Sequence, residues 1–102
     1  MEDGKWIDKR GVKYSTDRKK LIRAPERLSG DYRVLDGTVV ICDKAFHWCW
    51  RLQEITLPSS VTSIGDDVFV GCENLQQINI PRGTLEKFKK LLPGWAYKFH
   101  EI

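Results

Sequence analysis

Apolar and polar positions alternate over short stretches of this chain and then break. Leu52, Ile55 and Leu57 stand among the polar Gln53, Glu54 and Thr56, and Pro58 follows. Leu75, Ile78 and Ile80 repeat the arrangement, with Pro81 behind them. Successive side chains of a strand point to opposite faces, so Ile55 and Leu57 share one face and Glu54 and Thr56 the other. Proline has no amide to give to a ladder and marks each strand's end. The strands belong to a longer period. Laid over residues 64–86, residues 41–63 pair Ile41 with Ile64, Asp43 with Asp66, Phe46 with Phe69 and Cys49 with Cys72. Further on, Leu52 meets Leu75, Gln53 meets Gln76, Ile55 meets Ile78 and Pro58 meets Pro81. These are eight identities at a spacing of 23 residues, where average usage gives about one or two by chance.

A weaker copy lies upstream. Tyr32, Val34 and Leu35 stand one period before Ile55, Leu57 and Pro58, with Ser29 in place of Leu52. Residues 38–41 correspond to residues 61–64, a short second segment of the unit. Stacked in parallel, such units bring equivalent residues about 4.8 Å apart. Ile then lies over Ile, Phe over Phe and Cys over Cys, as ladders through one core whose ends need covering.

The flanks read differently. Residues 12–15 and 21–24 form two predicted strands, with Asp17, Arg18, Lys19 and Lys20 around the turn between them. Residues 1–10, with Trp6, read as the remnant of an earlier repeat. After the last repeat Thr84 is placed to cap a helix whose Leu85, Phe88, Leu91 and Leu92 share one face. Lys87, Lys89 and Lys90 take the rest, and Pro93-Gly94 ends the helix. Trp95, Tyr97 and Phe99 alternate with Ala96, Lys98 and His100, which predicts a final strand.

The phrase L-x-x-I-x-L-P-x-x-V-x-x-I-G-x-x-x-F-x-x-C is carried by Leu52, Ile55, Leu57, Pro58, Val61, Ile64, Gly65, Phe69 and Cys72. It resembles the BspA-like leucine-rich repeat, a class found mainly on bacterial surfaces. Residues 11–25 resemble the hairpin that often interrupts such arrays, and the tail from Ile80 resembles their usual ending. The resemblance implies a β-dominated leucine-rich-repeat solenoid with a short parallel sheet, in a single domain. Its parts would be a hairpin at 11–25, a partial repeat at 29–40, repeats at 41–63 and 64–86, and a helix-plus-strand cap at 84–102. It also implies a non-enzymatic protein-binding or adhesion module, secreted or on a bacterial surface, with host extracellular proteins among its partners. The alternative is a terminal cap or spacer of a longer array, with no ligand of its own.

Composition changes this picture little. At 102 residues, 41% hydrophobic and 30% charged, the chain has the make-up of one globular domain. A net charge of +3 is too weak a bias to argue for nucleic acid. No apolar run is long enough to insert into a membrane. The opening residues MEDGKWID carry no signal-peptide pattern. Because the resembled family is usually exported, the chain is read either as a trimmed piece of a longer secreted protein, the favoured reading, or as an internal variant.

Candidate chemistry is sparse. Three cysteines do not suggest a disulfide framework. Cys42, His47, Cys49 and Cys72 can be drawn as a zinc site, but C-x4-H-x-C lacks the paired spacing of zinc knuckles. Register gives the better account, with Cys49 and Cys72 as a buried ladder and Cys42, in the place of Gly65, as the more reactive thiol. No nucleophile elbow, zinc-protease or phosphate-loop motif is present, and neither an enzyme nor a cofactor or metal is expected. The basic clusters read as solvated faces.

Two sets of residues remain for a ligand. Facing out of the repeat strands are two columns, Asp31–Glu54–Gln77 and Arg33–Thr56–Asn79. Trp48 and Trp50 form the second set, at positions where the next unit has Gly71 and Glu73. Tryptophan there is read either as packing against the hairpin or the Trp95–Phe99 segment, or as an exposed patch for a ligand.

Overall fold

The structure, a computed structural model, describes residues 5–102. The strands are β1 (Lys5–Ile7), β2 (Lys13–Ser15), β3 (Lys20–Arg23), β4 (Gly30–Arg33), β5 (Val40–Ile41), β6 (Leu52–Thr56), β7 (Ser63–Ile64), β8 (Gln77–Ile80) and β9 (Phe99–Glu101). One α-helix, α1 (Leu85–Leu91), precedes a single 3-10 turn at Ala96–Lys98. The strands form two sheets, ordered β1-β2-β3-β5-β7 and β4-β6-β8-β9. From β4 to β8 the chain alternates between them, so each repeat gives one strand to each sheet.

The register follows the sequence period. Asp31, Glu54 and Gln77 lie side by side across β4, β6 and β8, as do Tyr32, Ile55 and Ile78, and Arg33, Thr56 and Asn79. All these pairings are parallel, as are Val40 with Ser63 and Ile41 with Ile64. A further ladder links the segments between sheets: amides of Lys44, Phe46 and Trp48 donate to the carbonyls of Asp66, Val68 and Val70 at 2.9, 3.0 and 2.7 Å. Even left-handed backbone recurs in register, at Lys44 and Asp67 (φ 56° each) and at Trp48 and Gly71 (φ 61° and 83°). Gly65 is required by closeness: a Cβ there would lie 2.2 Å from Asp43 Oδ1 and 2.5 Å from Asp43 N.

The eight residues of the Phe, Cys, Leu and Ile ladders, Phe46 and Phe69, Cys49 and Cys72, Leu52 and Leu75, Ile55 and Ile78, are all buried. Rings run through the molecule from end to end. Trp6 packs on Tyr14 at 5.9 Å, Tyr32 on Phe46 at 6.2 Å, Phe46 on Phe69 at 5.7 Å and Phe69 on Trp95 at 5.3 Å. The Tyr14 and Tyr32 hydroxyls, 2.6 Å apart, close the gap in this chain of rings, and Tyr32 Oη donates to Asp8 Oδ2 at 2.6 Å. Burial raises the pKa of both phenols, and for Tyr32 the Asp8 carboxylate adds to the effect.

At the turn after β2, Ser15 Oγ donates to Asp17 Oδ1 at 2.7 Å, as does the Lys19 amide at 3.0 Å. These bonds to the charged form hold the Asp17 carboxyl below its usual range.

Three local readings are corrected. Of the expected repeat remnant at 1–10, residues 1–4 lie outside the described residues. The remainder is an arm of an antiparallel meander, with Lys5 opposite Ser15 and Ile7 opposite Lys13. Asp8 makes that turn, its Oδ1 accepting the amides of Arg10 and Val12 at 2.9 Å each. Thr84 precedes α1, but its hydroxyl donates back to the Pro81 carbonyl at 2.6 Å and caps no helix amide. The predicted strand at 95–99 is mostly the 3-10 turn, leaving Tyr97 78% exposed. Trp95 sits against Phe69, so the chain turns once before Phe99 can pair with Ile78.

Candidate functional site

The outer face of the β4-β6-β8-β9 sheet carries both polar columns. Alternation places Asp31 and Arg33 on the same side as their partners across the sheet. Strand β9 adds His100 beside Asn79, so the second column runs Arg33–Thr56–Asn79–His100. Its middle is tied together. Asn79 Nδ2 donates to Glu54 Oε2 at 2.6 Å and to Thr56 Oγ1 at 3.1 Å, while Gln77 Nε2 donates to Asn79 Oδ1 at 2.7 Å. Asn79 is only 5% exposed. It therefore braces the face from beneath, and the open positions are Asp31 and Arg33 at one edge and His100 at the other.

Trp48 and Trp50 are 46% and 45% exposed. Neither makes a ring contact with Trp95, Tyr97 or Phe99 among the described residues. Of the alternatives for these rings, packing against that segment gives way, for Trp48, to packing on the next repeat. The Trp48 ring covers Gly71, where a Cβ would come within 2.6 Å of Cε3. The absent Gly71 side chain makes this seat. Trp48 holds the left-handed backbone (φ 61°) that the repeat imposes here, as at Gly71 (φ 83°), which costs a bulky residue about 1–2 kcal/mol. His47 meets Trp48 edge-on at 5.6 Å, and Arg51 stacks on Trp50 at 4.6 Å. Val70, 41% exposed, gives its carbonyl to the Trp48 amide and extends the apolar surface.

Among the described residues no three His, Cys, Asp or Glu side chains gather in a way that could hold a metal ion. The Cys72 thiol donates to the Phe46 carbonyl at 3.0 Å, and Cys49 faces the Pro25 carbonyl at 3.5 Å. Burial pushes these thiols up to about 11 and about 12. Cys42, expected to be the reactive thiol, is also raised, chiefly by burial, so the structure gives it no activation.

Residues 36–91 match the family described as BspA type leucine rich repeat region. The chain belongs to the BspA-type leucine-rich-repeat family. The match spans the two full repeats and reaches α1, while the meander and β9 lie outside it. No curated protein and no solved structure matches the chain. Membership accounts for the ladders of Ile, Phe, Leu and Cys. It does not account for Trp48 and Trp50, which the next repeat replaces by Gly71 and Glu73. Sequence reasoning missed His100 as a face residue. The signal was parity: once Phe99 belongs to the core, His100 must point out.

Proposed function

We propose that this chain is a non-enzymatic protein-binding or adhesion module built as a short leucine-rich-repeat solenoid, acting at a cell surface or after secretion. The observation that carries the reading is the pair of half-exposed tryptophans, at positions where the next repeat has Gly71 and Glu73. Exposed aromatic rings flanked by polar groups supply the burial that interface hot spots need. The partner, an extracellular protein of a host, anchors on Trp48 or Trp50 and contacts Asp31, Arg33 and Thr56 on the sheet face. Glu54, Gln77 and Asn79 hold that face rigid. Overall dimensions of 42 × 25 × 22 Å suit a stack of few units.

A terminal cap or spacer of a longer array is the second reading. It is favoured by α1 and β9, which lie beyond the last repeat. Against it stands the meander: β3 pairs with β5 in parallel, but β2 and β1 continue that sheet in antiparallel fashion, so further repeats do not simply extend it.

The test compares the parent with two variants, W48A/W50A and R33E/T56K, for binding to immobilised host extracellular-matrix proteins. Each variant is first checked for unchanged melting. Loss of binding by either folded variant supports the reading. Parent-like binding by both places the interface elsewhere and defeats it. Absence of binding by the parent to any matrix protein favours the spacer.

A further inference from the structure

Among the described residues strand β4 ends its sheet, paired with β6 on one side only. The amides of Gly30 and Val34 donate toward β6, to the carbonyls of Arg51 at 3.1 Å and Thr56 at 3.0 Å. By alternation the main-chain groups of Asp31 and Arg33 face away from β6. On that open side the Arg10 guanidinium donates to the carbonyls of Ser29 at 2.8 Å and Asp31 at 3.2 Å. The amide and carbonyl of Arg33 have no strand partner there among the described residues.

Beside this edge is a cavity of about 490 Å3 lined by Trp6, Asp8, Lys9, Arg10, Tyr32, Arg33 and Leu35. Its walls combine apolar surface from Trp6 and Leu35 with three cations. Among the described residues none of Lys9, Arg10 and Arg33 is ion-paired with a carboxylate. The one acid in the wall, Asp8, is occupied by the Arg10 and Val12 amides and by the Tyr32 hydroxyl. Its oxygens are thus taken up in structural bonds, and its single charge against three cations leaves the wall with a surplus of positive charge.

We propose that this cavity binds an acidic peptide segment in extended conformation. Its carboxylates lie against Lys9, Arg10 and Arg33, an apolar side chain lies against Trp6 and Leu35, and its main chain pairs with Arg33 at the end of β4. Charge complementarity selects an anion. The unpaired main chain of an edge strand selects a peptide, because an extended chain supplies the matching donor and acceptor. Arg10 shields the edge as far as Asp31 and directs the peptide to Arg33. The cavity shares Arg33 with the sheet face, but the proposal does not depend on the Trp48–Trp50 anchor.

The experiment titrates the whole, isotope-labelled chain with three probes: the pentapeptide Glu-Leu-Glu-Val-Glu with blocked ends, the same peptide with Gln for Glu, and a hyaluronan tetrasaccharide. Amide shifts are read by NMR at low and at physiological salt. The acidic peptide is expected to shift the Trp6, Lys9, Arg10 and Arg33 amides, and the Gln peptide to bind at least about tenfold more weakly. K9E/R33E is expected to weaken the acidic peptide about tenfold or more, while W48A/W50A leaves it unchanged. Absence of shifts at the cavity, equal binding of the Gln peptide, or shifts caused by the tetrasaccharide and not by the peptide would each overturn the proposal. Loss of peptide binding in W48A/W50A, with K9E/R33E unaffected, would also overturn it and point to the tryptophan surface.

Discussion

Thr38 is fully buried, and its hydroxyl has no hydrogen-bond partner among the described residues. One period later, in the same register, stands Val61, equally buried. Replacing Thr38 by Val keeps the side-chain shape and removes the hydroxyl. An unsatisfied buried polar group costs about 1–3 kcal/mol, and the added methyl gains something under about 1 kcal/mol of burial. The expected gain is about 1–4 kcal/mol, and in a domain of this size each kcal/mol raises the melting temperature by about 4–8 °C. Calorimetry and urea unfolding both read it, and the urea slope should not change because the exposed surface does not. Two further variants sharpen the test. Thr38→Ser keeps the hydroxyl and loses the methyl, so it should be less stable than the parent. Thr38→Ala loses both and leaves a cavity, so it should fall below Thr38→Val by about 2 kcal/mol. A Thr38→Val variant no more stable than the parent would refute the reasoning, because the hydroxyl must then have a partner that the geometry does not show.

Other outcomes follow from the ladders. Phe69→Ala removes a ring stacked on Phe46 and met edge-on by Trp95; it should cost about 3–5 kcal/mol in urea unfolding, and a loss below about 1 kcal/mol would contradict the packing. Gly65→Ala drives a methyl onto the Asp43 main chain, and should cost about 1–3 kcal/mol or more by the same assay. The thiols of Cys49 and Cys72, raised from an ordinary value near 9 to about 12 and about 11, stay protonated in the folded state where the unfolded chain ionises. Their contribution to stability is therefore constant below about pH 9 and is lost as pH rises towards 11–12. Unfolding measured from pH 8 to 11 should show this fall, and C49A/C72A should lessen it. Alkylation of the native protein at pH 8 should reach Cys42 first, and slowly, with Cys49 and Cys72 reacting only on unfolding.

The repeat was legible in the sequence because a fixed period imposes itself on stacking. Once Ile55 lies over Ile78, the main chain leaves little choice for Thr56 over Asn79 or Phe46 over Phe69, and the columns come out in the expected register. The burial of Cys49 and Cys72 followed from the same logic. Where the period stops, local pattern still found the two hairpin strands and the helix, but it misread the segments at either end. Five residues of alternation at 95–99 fit a strand as well as a turn, and the position of Phe69 decided between them. Trp6 carried no mark of an antiparallel arm, since that pairing rests on the Asp8 turn and on contact with Tyr14.

Surface chemistry depended most on the tertiary structure. The sequence singled out Trp48 and Trp50 as misfits of the repeat. Only the folded chain shows Trp48 seated on the space that Gly71 leaves empty, a contact between residues 23 apart. Asn79 reads as one more polar face residue until its amide is found buried beneath Glu54 and Thr56. The cavity of Trp6, Lys9, Arg10 and Arg33 has no sequence signature at all. Its residues come from a turn and a strand edge that meet only because the meander folds back beside β4. Period and alternation act between neighbours along a strand or across a stack, and both can be counted in the sequence. The exposure of a charge or a ring depends on what the rest of the chain lays over it, and that is set by packing.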